Sequence, residues 1–239
     1  MPADRKHLTR HEMKQDEFVS WVTHVTVWVE ANRKTVIGIA GSIVALLVLI
    51  VGAVAWQHSR SEKAYTLLGT VQKLARAPSA GDPGAGPGES RERAVRVVEA
   101  ADTLLRDYGT GAAADWARYY RGAALLDLDR KDDAAEAIAP VLKSAGDELL
   151  GNLSRLLNGR IEEARGDLQR AADAYASAAE KSSPRFPAEI ALMSQARCLT
   201  ALGKKQDAIN AYQKILDVYP ESPLAGKISE KLQELRGAS

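Results

Sequence analysis

Four histidines, one cysteine and a run of aspartates are the residues of this 239-residue chain whose types and spacing could do chemistry. An imidazole serves as general base or metal ligand. His7, His11, His24 and His58 all lie before or at the edge of a long apolar run, and the chain beyond His58 has none. Cys198 has no partner for an internal disulfide. Its place in mid-helix beside Ala196 and Leu199 reads as a small buried hydrophobe, not a nucleophile. An oxidising compartment is permitted but not indicated. Asp127, Asp129, Asp132 and Asp133 resemble a cation site by composition, yet their place between two helices makes them a solvated turn and helix cap. No phosphate loop, paired-glycine fingerprint or serine elbow occurs. The expectation is a protein with no catalytic residue, no metal and no cofactor. Residues 57–239 carry 26 basic and 26 acidic side chains, so no basic stripe serves nucleic acid. What remains is recognition of other proteins, and that requires elements that hold a surface.

Those elements repeat at an offset of 37 residues. Gly122, Ala134, Ile138 and Val141 align with Gly159, Ala171, Tyr175 and Ala178, and again with Ala196, Ala208, Tyr212 and Ile215. Each set places a small residue 12 positions before an alanine, with apolar residues 4 and 7 positions after it. That spacing predicts helix, short turn, helix: the small residue lets the first helix approach its neighbour, and the alanine lets the second cross it closely. Such a period means a stacked array of helical hairpins. A degenerate fourth hairpin precedes them. Val97, Ala101, Leu104, Leu105 and Tyr108 lie three periods before Ala208, Tyr212, Ile215, Leu216 and Tyr219. Their partner helix is predicted over Glu62–Ala77, where Ala64, Leu67, Leu68, Val71, Leu74 and Ala75 make one apolar stripe. The segment Pro78–Ser90, with three prolines and four glycines, reads as a flexible loop inserted in that hairpin. Pro223–Arg236 reads as a closing helix with Leu224, Ile228, Leu232 and Leu235 inward and a polar outer face. The fold class is all-α, a helical-hairpin solenoid over residues 57–239.

Thr35–Trp56 is a run of 22 uncharged residues, about 33 Å long as a helix, which matches the hydrocarbon thickness. Trp56 borders one end, and Arg33 and Lys34 the other. No polar face interrupts the run, which argues against a buried soluble helix. Ala53 and Ala55 imitate a cleavage site, but the 34 residues before the run and its own length exceed a signal peptide, so the expectation is an uncleaved anchor. The first 34 residues hold six Lys/Arg against four in the 34 after the run, whereas within 20 residues of each border the count is two against four. Charge therefore gives a lean toward an inside N-terminus and no more. In residues 1–34, Phe18, Trp21, Val22, Val25, Trp28 and Val29 recur at helical spacing, which predicts a short helix on the membrane surface.

The repeats resemble tetratricopeptide repeats. The last carries Ala196, Leu199, Gly203, Ala208, Tyr212, Ile215 and Pro220 at that motif's positions. The middle one keeps Gly159, Gly166, Ala171, Tyr175 and Ala178. The first keeps Gly122 and Ala134 but has Asp129 where glycine is usual and Ile138 where an aromatic is usual. The family period is about 34 residues; the extra three here fall between hairpins. The resemblance implies a partner-binding inner wall lined by the first helix of each hairpin. Its positions here are Trp116, Tyr119, Ala123 and Leu126; Leu153, Leu156, Arg160 and Glu163; and Ile190, Met193, Arg197 and Thr200. Arg160 and Arg197 occupy one place a period apart, suited to gripping carboxylates or carbonyls of an extended chain. Glu180 and Lys214, on second helices, belong to the outer face.

The whole architecture, a basic N-terminus, one span and a neutral repeat array, looks like the YfgM-like family, ancillary subunits of the bacterial Sec translocon. That likeness implies an inner-membrane anchor with a cytoplasmic N-terminus and the repeats in the periplasm. It implies contact with the translocon, periplasmic chaperones or newly exported chains. A scaffold for another envelope assembly or secretion machine is the alternative. The Pro/Gly segment matches no family role.

Overall fold

The computed structural model describes residues 28–76, 87–144, 148–181, 186 and 188–237. Among these, all regular structure is helical. The helices are α1 (Arg33–Arg76), α2 (Pro87–Asp107), α3 (Ala112–Asp127), α4 (Lys131–Lys143), α5 (Glu148–Arg165), α6 (Leu168–Glu180), α7 (Ala188–Ala201), α8 (Lys205–Val218) and α9 (Ala225–Gly237). The chain falls into two units, Met1–Ser59 and Arg60–Ser239.

In the first unit, the part of α1 up to Ser59 holds the apolar run, and its large side chains, Ile37, Leu47, Leu49 and Val51 among them, are exposed. This helix is long and apolar enough to cross a membrane, and none of its most apolar stretch is buried. The predicted surface helix lies mostly outside the described residues. Its end, from Trp28, is helical.

The second unit is built from sequential hairpins. α2 packs on α3, α3 on α4, α4 on α5, and so on to α9, with α3 also touching α5. The small residues explain the pairing. A β-carbon on Gly122 would sit 2.5 Å from Ile138 Cγ2 of α4, and one on Gly159 would sit 2.5 Å from the Tyr175 ring of α6. Ala134, Ala171, Ala196 and Ala208 are fully buried. Helices touching at such sites cannot accept a larger side chain. Residues 128–130, 166–167 and 202–204 turn each hairpin, and Gly166 (φ 87°) and Gly203 (φ 72°) take the left-handed conformation there. Asp129 takes it too (φ 59°). The first repeat thus keeps the backbone of the turn without its glycine, which an aspartate tolerates better than most residues.

Two apolar cores meet at α5. One joins Ala64, Leu68 and Val71 of α1 to α2, α3, α4 and to Leu157 and Ile161 of α5. The other joins α6, α7, α8 and α9, with Leu149, Leu153 and Leu156 of α5 packed against it. The predicted closing helix is α9, which buries Ile228 and Leu232 and half-buries Leu235.

Two expectations need correction. The loop predicted over Pro78–Ser90 ends earlier, because α2 begins at Pro87 and residues 87–90 are helical. Proline fits the first helical turn, whose N–H groups have no intrahelical acceptor, and Glu89 there complements the helix dipole. Residues 77–86 lie outside the described set. The aspartates after α3 do not cap α4: its N-cap is Arg130, without a side-chain cap bond, and Asp132 and Asp133 sit in the first turn instead.

Candidate functional site

α3, α5 and α7 are the first helices of the three regular hairpins. Each buries one stripe in the cores and presents a second, which keeps all twelve predicted wall residues from full burial. Trp116, Tyr119, Ala123 and Leu126 on α3 are half-buried, as are Leu153, Leu156 and Glu163 on α5 and Met193 on α7. Arg160, Ile190, Arg197 and Thr200 are exposed.

At the α3 end, three aromatic rings support one another. Trp116 stacks on Tyr120 with centroids 6.0 Å apart and meets Tyr119 edge-on at 6.0 Å, while Tyr119 and Tyr120 stand edge-to-face at 5.4 Å. All three pack against the first core. Trp116 and Tyr119 therefore serve both packing and surface. Burial pushes the Tyr119 phenol above its usual range, Tyr120 adds to this, and Arg160 pulls it back. Tyr120 was missed by the repeat register. Its signal is simply its place next to Tyr119.

Midway along the wall, Glu163 ties three helices together. Arg197 of α7 donates to both of its carboxylate oxygens, at 2.8 Å to Oε2, and the Tyr175 hydroxyl of α6 donates to Oε2 at 3.0 Å. The bidentate fork is the strong form of this interaction. The hydrogen bond to Glu163 is the main cause that raises the Arg197 pKa. Arg197 is thus already engaged, which corrects the expectation of two equivalent arginines. One period earlier, Leu126 stands where Glu163 stands. Among the described residues Arg160 accordingly forms no ion pair.

Two clefts open on this face. One, of about 540 Å³, brings together Leu126, Arg160, Glu163 and Arg197, with Asp127, Asp129, Ala164, Tyr175 and Ser194. The other, of about 560 Å³, is bounded by α7, α8 and α9 and holds Met193, Arg197 and Thr200. Trp116, Tyr119, Ala123, Leu153, Leu156 and Ile190 line neither. Glu180 and Lys214, expected on a plain outer face, line a third cleft of about 380 Å³ between α6 and α8.

Three of the four aspartates pair with nearby cations. Asp132 pairs with Arg165 at 2.6 Å, Asp133 with Arg130 at 2.6 Å, and Asp129 with Lys131 at 3.2 Å. Among the described residues no group of three or more His, Cys, Asp or Glu is placed to hold a metal. Cys198 is buried, and burial and the nearby Glu163 push its thiol upward, so little thiolate exists at neutral pH.

The tetratricopeptide-repeat family profile matches residues 119–188 and 156–223. These overlapping stretches run from α3 to just beyond α8 and contain most of the wall. No curated protein matches the chain. Tetratricopeptide repeats are present in this protein, and repeats of this kind make surfaces for other proteins.

Proposed function

We propose that this protein is a membrane-anchored, non-enzymatic scaffold whose repeat domain holds protein partners on the α3–α5–α7 wall. The supporting observation is the pairing within one chain of two unsatisfied surfaces. Among the described residues the apolar run of α1 is exposed, and the wall carries an aromatic platform, two clefts and an arginine, Arg160, that forms no ion pair. Aromatic and arginine side chains are the residues enriched where binding energy concentrates. Residues 35–56 cross a bilayer in this reading, 1–34 lie on the cytoplasmic side, and 57–239 lie in the periplasm of a bacterial cell. Its partners are proteins and the lipid bilayer, not nucleic acid.

The finer reading, carried by the architectural resemblance, is an accessory role at the Sec translocon with periplasmic chaperones or newly exported chains as clients. A scaffold for another envelope assembly or secretion machine is the second reading. Purification of the full chain in mild detergent separates them. Co-purification of translocon subunits at stoichiometric yield supports the first, and recovery of a different envelope complex without them supports the second. Release of the chain by alkaline carbonate would contradict the anchor itself.

A further inference from the structure

The repeat register sets two tyrosines in the same place, and their hydroxyls fare differently. Tyr212 of α8 lies one period of 37 residues after Tyr175 of α6. The Tyr175 hydroxyl donates to the Glu163 carboxylate at 3.0 Å, and Arg197, from the helix that follows, holds the same carboxylate. One period on, Thr200 stands where Glu163 stands. Its own hydroxyl donates to the Ala196 carbonyl at 2.8 Å. Among the described residues the Tyr212 hydroxyl forms no hydrogen bond. The third regular hairpin keeps the phenol and lacks the carboxylate that the second hairpin supplies to it.

Tyr212 borders the cleft among α7, α8 and α9. Burial raises its phenol above the usual range, Lys231 and Arg197 lower it, and Glu234 raises it, so the ring lies in an apolar lining with charges around it. Met193, Ala201, Ile228 and Leu235 complete that lining. The charges nearly cancel. Arg197 is held by Glu163, Lys231 donates to Glu234 at 2.6 Å, and Glu230 biases Lys231 from outside the cleft. Lys227 is the lining cation that forms no ion pair among the described residues. One ammonium suits one negative charge, not a run of them. The volume, about 560 Å³, lies in the range of pockets that enclose a small molecule.

We infer that this cleft binds a free fatty acid. Its carboxylate takes, at Tyr212 and Lys227, the place that Glu163 takes at Tyr175 and Arg197, and its alkyl chain lies on Met193, Ile228 and Leu235. The molecule itself supplies the template, since its second hairpin shows how this phenol receives a carboxylate. A hydrogen bond to an ionised acceptor is about twice as strong as one between neutral groups, so the hydroxyl favours an acid over an alcohol of the same length. The alkyl chain gains by leaving water for an apolar lining. This goes beyond the scaffold reading and does not depend on it: the ligand is a small molecule, and the closing helix α9 forms one wall of its site.

The test uses the full chain in lipid nanodiscs and hexadecanoic acid carrying a photoactivatable diazirine on its alkyl chain. After irradiation, labelled peptides are read by mass spectrometry, with the matching hexadecanol probe as the neutral control. Labels on α7 and α9 at the cleft are expected, about tenfold stronger with the acid than with the alcohol. Tyr212→Phe, which removes one oxygen and keeps the ring, and Lys227→Gln are each expected to lower cleft labelling by about fivefold. Thr200→Glu returns the carboxylate of the preceding hairpin and is expected to abolish it. Thermal unfolding is read alongside, and loss of labelling in a variant that melts as the unsubstituted chain does supports the site. Lys227 and Thr200 are exposed, so their variants read the site even where Tyr212→Phe melts early. Labels confined to residues 33–59, equal labelling by acid and alcohol, or cleft labelling unchanged in Lys227→Gln and Thr200→Glu would overturn it. Displacement of the probe by an acidic peptide containing Phe, but not by excess hexadecanoate, would overturn it in favour of a peptide pocket. Each of these failures leaves the partner adducts expected of the scaffold wall untouched.

Discussion

In α1 the segments Thr35–Trp56 and Glu62–Arg76 follow one another on a single helix, and they treat their leucines and valines in opposite ways. In the second, apolar residues form one stripe, and Ala64, Leu68 and Val71 are buried in the first core, while Tyr65 and Gly69 face solvent. In the first, apolar residues go all the way round and the large ones are exposed. A helix that buries one stripe needs a protein neighbour; a helix that is apolar on every side and has none needs an apolar solvent. On the anchor reading proposed above, the contrast separates residues that make the fold from residues that place it in a membrane.

Substitutions at matched residues break the comparison most sharply. Leu68→Ala leaves a cavity in the first core and is expected to cost about 2–5 kcal/mol in thermal or denaturant unfolding of the full chain in detergent. Leu47→Ala, at a side chain exposed among the described residues, is expected to leave the same transition unmoved. If both shift the midpoint alike, the apolar run is packed on the repeat domain and the anchor reading fails. Leu47→Arg reverses the pattern: it is expected to cost about 2.5–3.5 kcal/mol of membrane insertion, measured in a translocon insertion assay, with unfolding of the repeat domain unchanged.

Glycines sharpen the same distinction between crowded and open sites. Gly159→Ala drives a methyl group into the buried Tyr175 ring and is expected to destabilise by about 1–3 kcal/mol, as is Ala171→Leu. Gly69→Ala meets nothing within 4 Å on the exposed side of α1 and is expected to stabilise by about 0.5–1 kcal/mol. A destabilising Gly69→Ala would place an unseen neighbour on that side. The smallest effect is expected from Asp129→Gly, which relieves the left-handed aspartate but forfeits the exposed pair with Lys131, for a net gain under about 1 kcal/mol by urea titration.

The hairpins were legible because their steric demands fall on residues that cannot be disguised. Only a small side chain stands at Gly122, Gly159 and Ala196, and only alanine at Ala134, Ala171 and Ala208, so the period shows in the letters. The start of α2 was not legible, since Pro87 and Gly88 resemble the loop before them and proline at a helix start looks the same as proline in a turn. The wall positions could be chosen from the repeat, but their partnerships could not. Arg197 and Arg160 are equivalent in register, and the decisive difference is the residue facing each, Glu163 or Leu126. The cleft among α7, α8 and α9 escaped the register altogether, because the closing helix that bounds it belongs to no repeat.

Site-specific photo-crosslinking in intact cells tests the central claim, that partners are held on the first-helix wall. The crosslinker is placed at Tyr119, Arg160 or Met193, and at the exposed second-helix positions Glu136 and Asp217, which line none of the clefts described. The account predicts discrete protein adducts from the wall positions and little from the second helices. Equal adduct yields from both sets would contradict it.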